Sequence, residues 1–246
     1  MVWILSIAAF VGATLSAIAG LGGGTLLIGV MFAVGLAPVV AVPLHAAVQA
    51  VSNASRALAY RHDIDWPSAA WFTLTCLPLP FLTAPLIARA DADVIRLILA
   101  LAIALYLMPG VSSALHTQWP TRRKMLVAGA LNGAVGMVIG ATGLIIGPFF
   151  LDRNWSKETT VGTLALCQTV GHMLKIAAFG MLGFGLLAQW TLAVPLMVAV
   201  AVGTLFGRRL MRLVSRKQFA LLFKLVLIVL ALRLAFSGGL GLWARY

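Results

Sequence analysis

The sequence predicts an all-α polytopic membrane protein made of two homologous, inverted repeats. Each repeat is read as a glycine-broken re-entrant helical hairpin followed by three transmembrane helices. Eight plain transmembrane helices in parallel repeats are the alternative. Three observations lead there. The 246 residues are 62% hydrophobic and only 10% charged, with a mean hydropathy of +1.04. Soluble domains carry about 25% charged residues, and a soluble fold of this composition would expose large apolar patches. The apolar residues fall into bilayer-length runs, two of them cut to half length at glycines. The order of runs and breaks occurs twice.

Runs near the 20 residues or so that cross a bilayer lie at Val2–Gly20, Pro38–Tyr60, Pro67–Ala88, Val94–Val111, Met125–Ala141, Thr159–Leu182, Trp190–Leu210 and Phe219–Phe236. Thr25–Gly35 and Gly143–Leu151 are half that length. With no basic n-region and no small-residue cleavage site, Met1–Gly20 reads as mature structure rather than a signal peptide. Cys76 and Cys167 both lie in apolar runs, too few for a disulfide framework or a metal site. No metal or cofactor is expected.

An offset of 119 residues brings Gly24-Thr25-Leu26-Leu27 onto Gly143-Leu144-Ile145-Ile146, Gln49 onto Gln168, Asn53 onto His172 and Arg56 onto Lys175. The halves are residues 1–116 and 117–246 of one transmembrane domain. Such repeats mark secondary transporter folds.

The excess of 18 Lys+Arg over 6 Asp+Glu gives +12. On a soluble chain this would suggest nucleic acid. Here the cations lie between apolar runs, so they read as positive-inside bias, and no nucleic-acid partner is expected. Eight full spans divide the loop cations nine to five. With the hairpins re-entrant, eleven share one side: Arg61, Arg122, Arg123, Lys124, Arg153, Lys157, Arg208, Arg209, Arg212, Arg216 and Lys217. Arg89, Arg96 and Arg245 oppose them. The sharper asymmetry favours three crossings per half, hence inverted halves. It makes loops 61–65, 117–124, 152–158 and 208–217 cytoplasmic, in a multi-pass protein of the bacterial inner membrane.

Gly20-Leu21-Gly22-Gly23-Gly24-Thr25 should unwind a helix, since each glycine costs about 1 kcal/mol there. Unwound backbone in a bilayer must face protein or water. A half-helix starting there offers free N–H groups and a positive dipole end to an anion. Close packing by small residues is the competing explanation. Recurrence at Gly140-Ala141-Thr142-Gly143 favours binding, making Gly22, Gly23, Gly24, Thr25, Thr142 and Gly143 candidates. No P-loop or dinucleotide fingerprint is present.

His45, Gln49, Asn53 and Arg56 stand four, four and three residues apart, on one helix face. Gln168, His172 and Lys175 repeat the last three. Polar groups inside a span face a cavity or a partner; interhelical hydrogen bonding is the bland reading for each alone. The six acids, Asp63, Asp65, Asp91, Asp93, Asp152 and Glu158, lie at or beyond the ends of the runs. Arg56, Lys175, amides and helix N-termini therefore suit an anion rather than a cation. His45 and His172 are candidates for carrying a coupled proton.

These features resemble the sulfite exporter TauE/SafE family of bacterial membrane transporters. The resemblance rests on Gly20-Leu21-Gly22-Gly23-Gly24 and Gly35-Leu36-Ala37-Pro38 in the first half. In the second it rests on Asn132-Gly133, Gly140-Ala141-Thr142-Gly143, Pro148 and Ser156 to Thr163. It departs at Ala141 and Thr142, where glycines are expected, and at Gly29, where proline is common. The resemblance implies outward movement of sulfite, sulfonates or related anions; the residues alone imply an anion. The expectation is thus a secondary transporter working by alternating access, with a small anion and the bilayer as partners and a homo-oligomer left open. A passive anion channel or a structural subunit is the alternative. An intramembrane enzyme is disfavoured: His-Glu-x-x-His, Gly-x-Ser-x-Gly and carboxylate pairs are absent.

Overall fold

The computed structural model describes residues 1–19, 23–108, 119–139, 142–150, 155–210 and 216–244. Gly20, Leu21, Gly22, Gly140, Ala141, Asp152, Arg153, Arg212 and Arg245, named above, lie outside them, as do the ends of the runs reaching Val111 and Leu151. Among the described residues every regular element is helical.

Helix α1 (Val2–Ala19) leads into the half-length α2 (Gly23–Ala33). Gly23 sits against Gly12 and Ser16, so α2 begins beside the middle of α1 and not beyond its end. A Cβ on either glycine would run into the other's backbone, so the close approach depends on both. Gly35 then ends α2 at φ +89, with Leu36 N–H donating to Met31 O (3.1 Å). That left-handed helix stop suits glycine. Gly183 ends the longest polar-striped helix the same way, at φ +90.

Helix α3 (Pro38–Ala59) starts on Pro38, where a missing N–H costs nothing. The Asp65 carboxylate caps α4 (Trp66–Cys76) by accepting from Ser68 N–H (2.9 Å). The single expected span Pro67–Ala88 is two helices, α4 and α5 (Leu79–Arg89), bent 46° where Pro78 interrupts. Asp91 caps α6 (Ala92–Leu107).

The run Met125–Ala141 is divided, into α7 (Thr121–Ala134) and the one-turn α8 (Gly136–Ile139). The second half-helix is shorter than expected: one α turn, α9 (Gly143–Ile146), continues as a 3-10 turn over Gly147–Phe150. Pro148 removes a donor that an α-helix would use. Ser156 caps α10 (Lys157–Met181). A 3-10 turn (Leu186–Gln189) leads to α11 (Trp190–Leu210), and α12 (Arg216–Trp243) follows.

The principal helix pairs are α1 with α11, α3 with α10, α6 with α12 and α4 with α7. Small residues let their backbones meet. Gly203 and Gly207 on α11 face Phe10 and Thr14 of α1; Gly129 and Gly133 on α7 face Phe72, Thr75 and Cys76 of α4. Each seam carries one threonine bond, Thr14 Oγ1 to Gly203 O (3.1 Å) and Thr75 Oγ1 to Leu126 O (2.7 Å). Gly238 and Gly241 admit Asp93 and Leu97 at the α6–α12 seam. Gly29 leaves room for Leu230 of α12, a physical reason for glycine there.

Two described helices, Glu158–Met181 and Leu186–Gly207, are long and apolar enough to cross a membrane, or three with the bent pair as one. Helix α3 falls short because it carries the polar stripe, and α6 because it has only 16 residues.

Candidate functional site

Packing of α3 on α10 brings the two polar stripes together. His45 (0% exposed) and His172 (5%) meet edge-on, with ring centroids 5.9 Å apart. His45 Nε2 also lies 2.9 Å from Gly24 O in the first turn of α2. One imidazole thus touches both the opposite stripe and the first break. Thr25, next in the chain, is buried as well.

Lys175 stands one turn beyond His172 and is 1% exposed. Its Nζ comes within 3.1 Å, and Thr142 Cγ2 within 3.0 Å, of where a Cβ on Gly136 would be. The ammonium therefore rests at the second break, beside a glycine that leaves it room. Lys175 lies within charge–charge range of both histidines, and Arg56 within range of His172. The cations expected to be equivalent are placed differently. Arg56 is half-buried and donates from Nη2 to Asn53 Oδ1 (2.5 Å) one turn away on its own helix. Asn53 Nδ2 donates in turn to Gln49 O (3.0 Å). At the first break the described side-chain contact is that of His45. Gln49 and Gln168 are half-buried on their helices.

Gly23, Gly24 and Thr25 open α2, so their N–H groups are those a helix start leaves without intrahelical partners. Thr142 and Gly143 open only the four-residue α9. A single turn carries little dipole, so the positive group at the second break is the Lys175 ammonium, where the first presents backbone N–H groups. Asp63, Asp65, Asp91, Asp93 and Glu158 all lie in loops or first turns, away from this centre.

One central residue escaped the sequence reasoning as a site residue. Asn132 (2% exposed) accepts from Thr142 Oγ1, donates from Nδ2 to Cys76 Sγ (3.4 Å), and presses against Gly171 of α10. It ties the second break to the α4 bend and to α10. Its signal was available: a buried amide within an apolar run, the criterion that selected His45.

The family model described as Sulfite exporter TauE/SafE matches residues 4–234 of this chain. No curated protein and no solved structure matches it.

Proposed function

The chain belongs to the sulfite exporter TauE/SafE family, and from that premise we propose that it is a secondary transporter exporting a small anion across the bacterial inner membrane. Sulfite, a sulfonate or a related organic or sulfur-containing anion is the cargo class. The observation that carries the site is Lys175: a cation 1% exposed, at a backbone break, in the company of His45 and His172. Buried cations in a membrane protein mark substrate paths. The anion is proposed to sit between the breaks, held by Lys175 and the α2 N-terminus with Gly23, Gly24 and Thr25. Gln49, Asn53, Arg56, Thr142, Gly143, Gln168 and His172 are proposed to surround it; Gly22, proposed with them from the sequence, lies outside the described residues.

Two inverted repeats, residues 1–116 and 117–246, are proposed to rock against each other in alternating access. What supports this is the reciprocity of the helix pairs. The aligned helices α3 and α10 pair with each other, as do α6 and α12. The first helix of each half, α1 or α7, packs on the aligned partner in the other, α11 or α4. A two-fold relation generates that pattern.

Re-entry of α1–α2 is supported by Gly23 beside Gly12. So is it by the end of α2, where Phe32 O and Ala33 O accept from Arg96 Nε (3.2 Å) and Arg233 Nη2 (3.4 Å). A cytoplasmic basic face is supported by neighbours of the 60–65 loop. Gly162 abuts Tyr60, Asp65 N–H donates to Thr163 Oγ1 (2.9 Å), and the Arg122 guanidinium lies 4.1 Å from the Trp71 ring centre.

The test is efflux of sulfite and of an alkanesulfonate from proteoliposomes. Saturable, exchangeable flux that falls about 10- to 100-fold in Lys175→Gln is expected. Non-saturating ohmic current, or flux untouched by that change, would overturn the carrier or the site respectively.

A further inference from the structure

The first break contains a hydrogen-bonding demand that nothing among the described residues meets. A carbonyl oxygen only accepts, so the hydrogen in the 2.9 Å His45–Gly24 contact is on Nε2. In neutral imidazole that leaves Nδ1 as a pure acceptor. His45 is 0% exposed and its Nδ1 has no hydrogen-bond partner; nor do His172 Nδ1 or Thr25 Oγ1, in residues 5% and 2% exposed. Buried polar atoms are nearly always satisfied, so an orphan on the imidazole that touches the first break points to a ligand that fills it.

A simple anion does not fill the place at His45. It brings lone pairs to a lone pair. The contact becomes attractive only with one proton between nitrogen and oxygen. The proton can arrive on the ligand, as the hydroxyl of a partly protonated oxyanion. It can otherwise come from solvent and convert His45 to an imidazolium whose Nδ1–H donates.

We infer that binding of an anion at this site is stoichiometric with one proton held between His45 Nδ1 and the ligand. The inference rests on the anion-site reading above and specifies its chemistry. The charged surroundings support obligate coupling. Helix α2 brings no titratable side chain; α10 brings His172 and Lys175, with Lys157 and Glu158 in its first turn and Cys167 between; α3 itself brings Arg56. Of the other elements packed on α3, α5 is charged only at Arg89, α11 only at Arg208 and Arg209, and the 3-10 turn Leu186–Gln189 nowhere. With Lys175 in range, a second positive charge on His45 is accommodated only alongside the anion's negative one. Anion and proton then strengthen each other's binding reciprocally.

The experiment is calorimetric titration of the full chain in nanodiscs, in mildly acidic buffers of differing ionisation enthalpy. The probes are methanesulfonate, which has no hydroxyl, and hydrogen sulfite, which has one. Methanesulfonate should take up about one proton per anion bound and hydrogen sulfite about none. His45→Gln keeps a donor for Gly24 O but has nothing to titrate. It should abolish proton uptake and weaken methanesulfonate about tenfold, while His62→Asn, in the exposed loop before α4, leaves the uptake in place. Methanesulfonate binding without proton uptake, or uptake persisting in His45→Gln, would overturn the inference. Failure of both anions to bind folded wild-type protein would instead remove the anion-site reading, and the inference with it.

Discussion

The imidazoles of His45 and His172 meet edge-on at 5.9 Å between ring centroids, joining the two polar-striped helices at their centre. His45 continues to the first break through Gly24, and Lys175, one turn from His172, continues to the second through Gly136 and Thr142. One line of side chains therefore spans both breaks, and movement at either one disturbs the same pair of rings.

Gly136→Ala should damage transport more than stability. The new methyl would stand 3.1 Å from Lys175 Nζ and 3.0 Å from Thr142 Cγ2. A lysine end can yield, so the fold survives while the ammonium is displaced. Sulfite efflux is expected to fall about tenfold, and in Lys175→Gln by about 10- to 100-fold, the worth of a charged hydrogen bond. Thermal unfolding measured alongside should change little in Gly136→Ala; a collapse in melting temperature with normal flux would contradict this.

Gly12→Ala and Gly23→Ala should be destabilising. Each added methyl meets backbone, which gives way only if the hairpin opens. Overpacking of this kind costs about 1–3 kcal/mol. Gly239→Ala, with open space around its Cα, is the matched control and should be neutral. Denaturation of the three variants in one detergent decides it.

Single cysteines should report the basic face. In a background with Cys76 and Cys167 replaced, Arg61→Cys and Arg122→Cys are expected to react with an impermeant maleimide only from the cytoplasmic side. Arg89→Cys should react only from the other. Labelling of all three from one side would refute three crossings per half.

Thr14→Val and Thr75→Val each remove one bond between paired helices. Interhelical bonds in membranes are worth about 0.5–1.5 kcal/mol. The two seams share no residue, so the double variant should lose the sum within about 0.5 kcal/mol.

Much of this was legible in the chain because a bilayer imposes strong rules on sequence. Helix positions followed from run length, and the His45 and His172 faces from four-residue spacing. The α4–α5 bend was not read, although Pro78 and Pro80 stand in mid-run, because composition alone does not separate a kinked span from two helices. Repeat alignment suggested equal roles for Arg56 and Lys175. Local chemistry overrode it: Asn53 sits one turn before Arg56 and accepts its guanidinium, whereas His172 at the aligned position leaves Lys175 to reach Gly136. Asn132 carried a local signal, an amide inside an apolar run, but the groups it joins were not legible because its partners Thr142, Cys76 and Gly171 are ten to fifty-six residues away in sequence. Tertiary pairing at that range has no local signature.

The pairing of α1 with α11 has a consequence in time. Ala19 and Trp190 are 171 residues apart, so at about 5–20 residues per second the ribosome needs on the order of 10–30 s to deliver the partner of the first helix. Throughout that interval the carbonyls of Phe10 and Thr14 face something other than Gly203 and Gly207. A chain truncated before Trp190 keeps α2 beside α1 but leaves the side of α1 that faces α11 unsheltered.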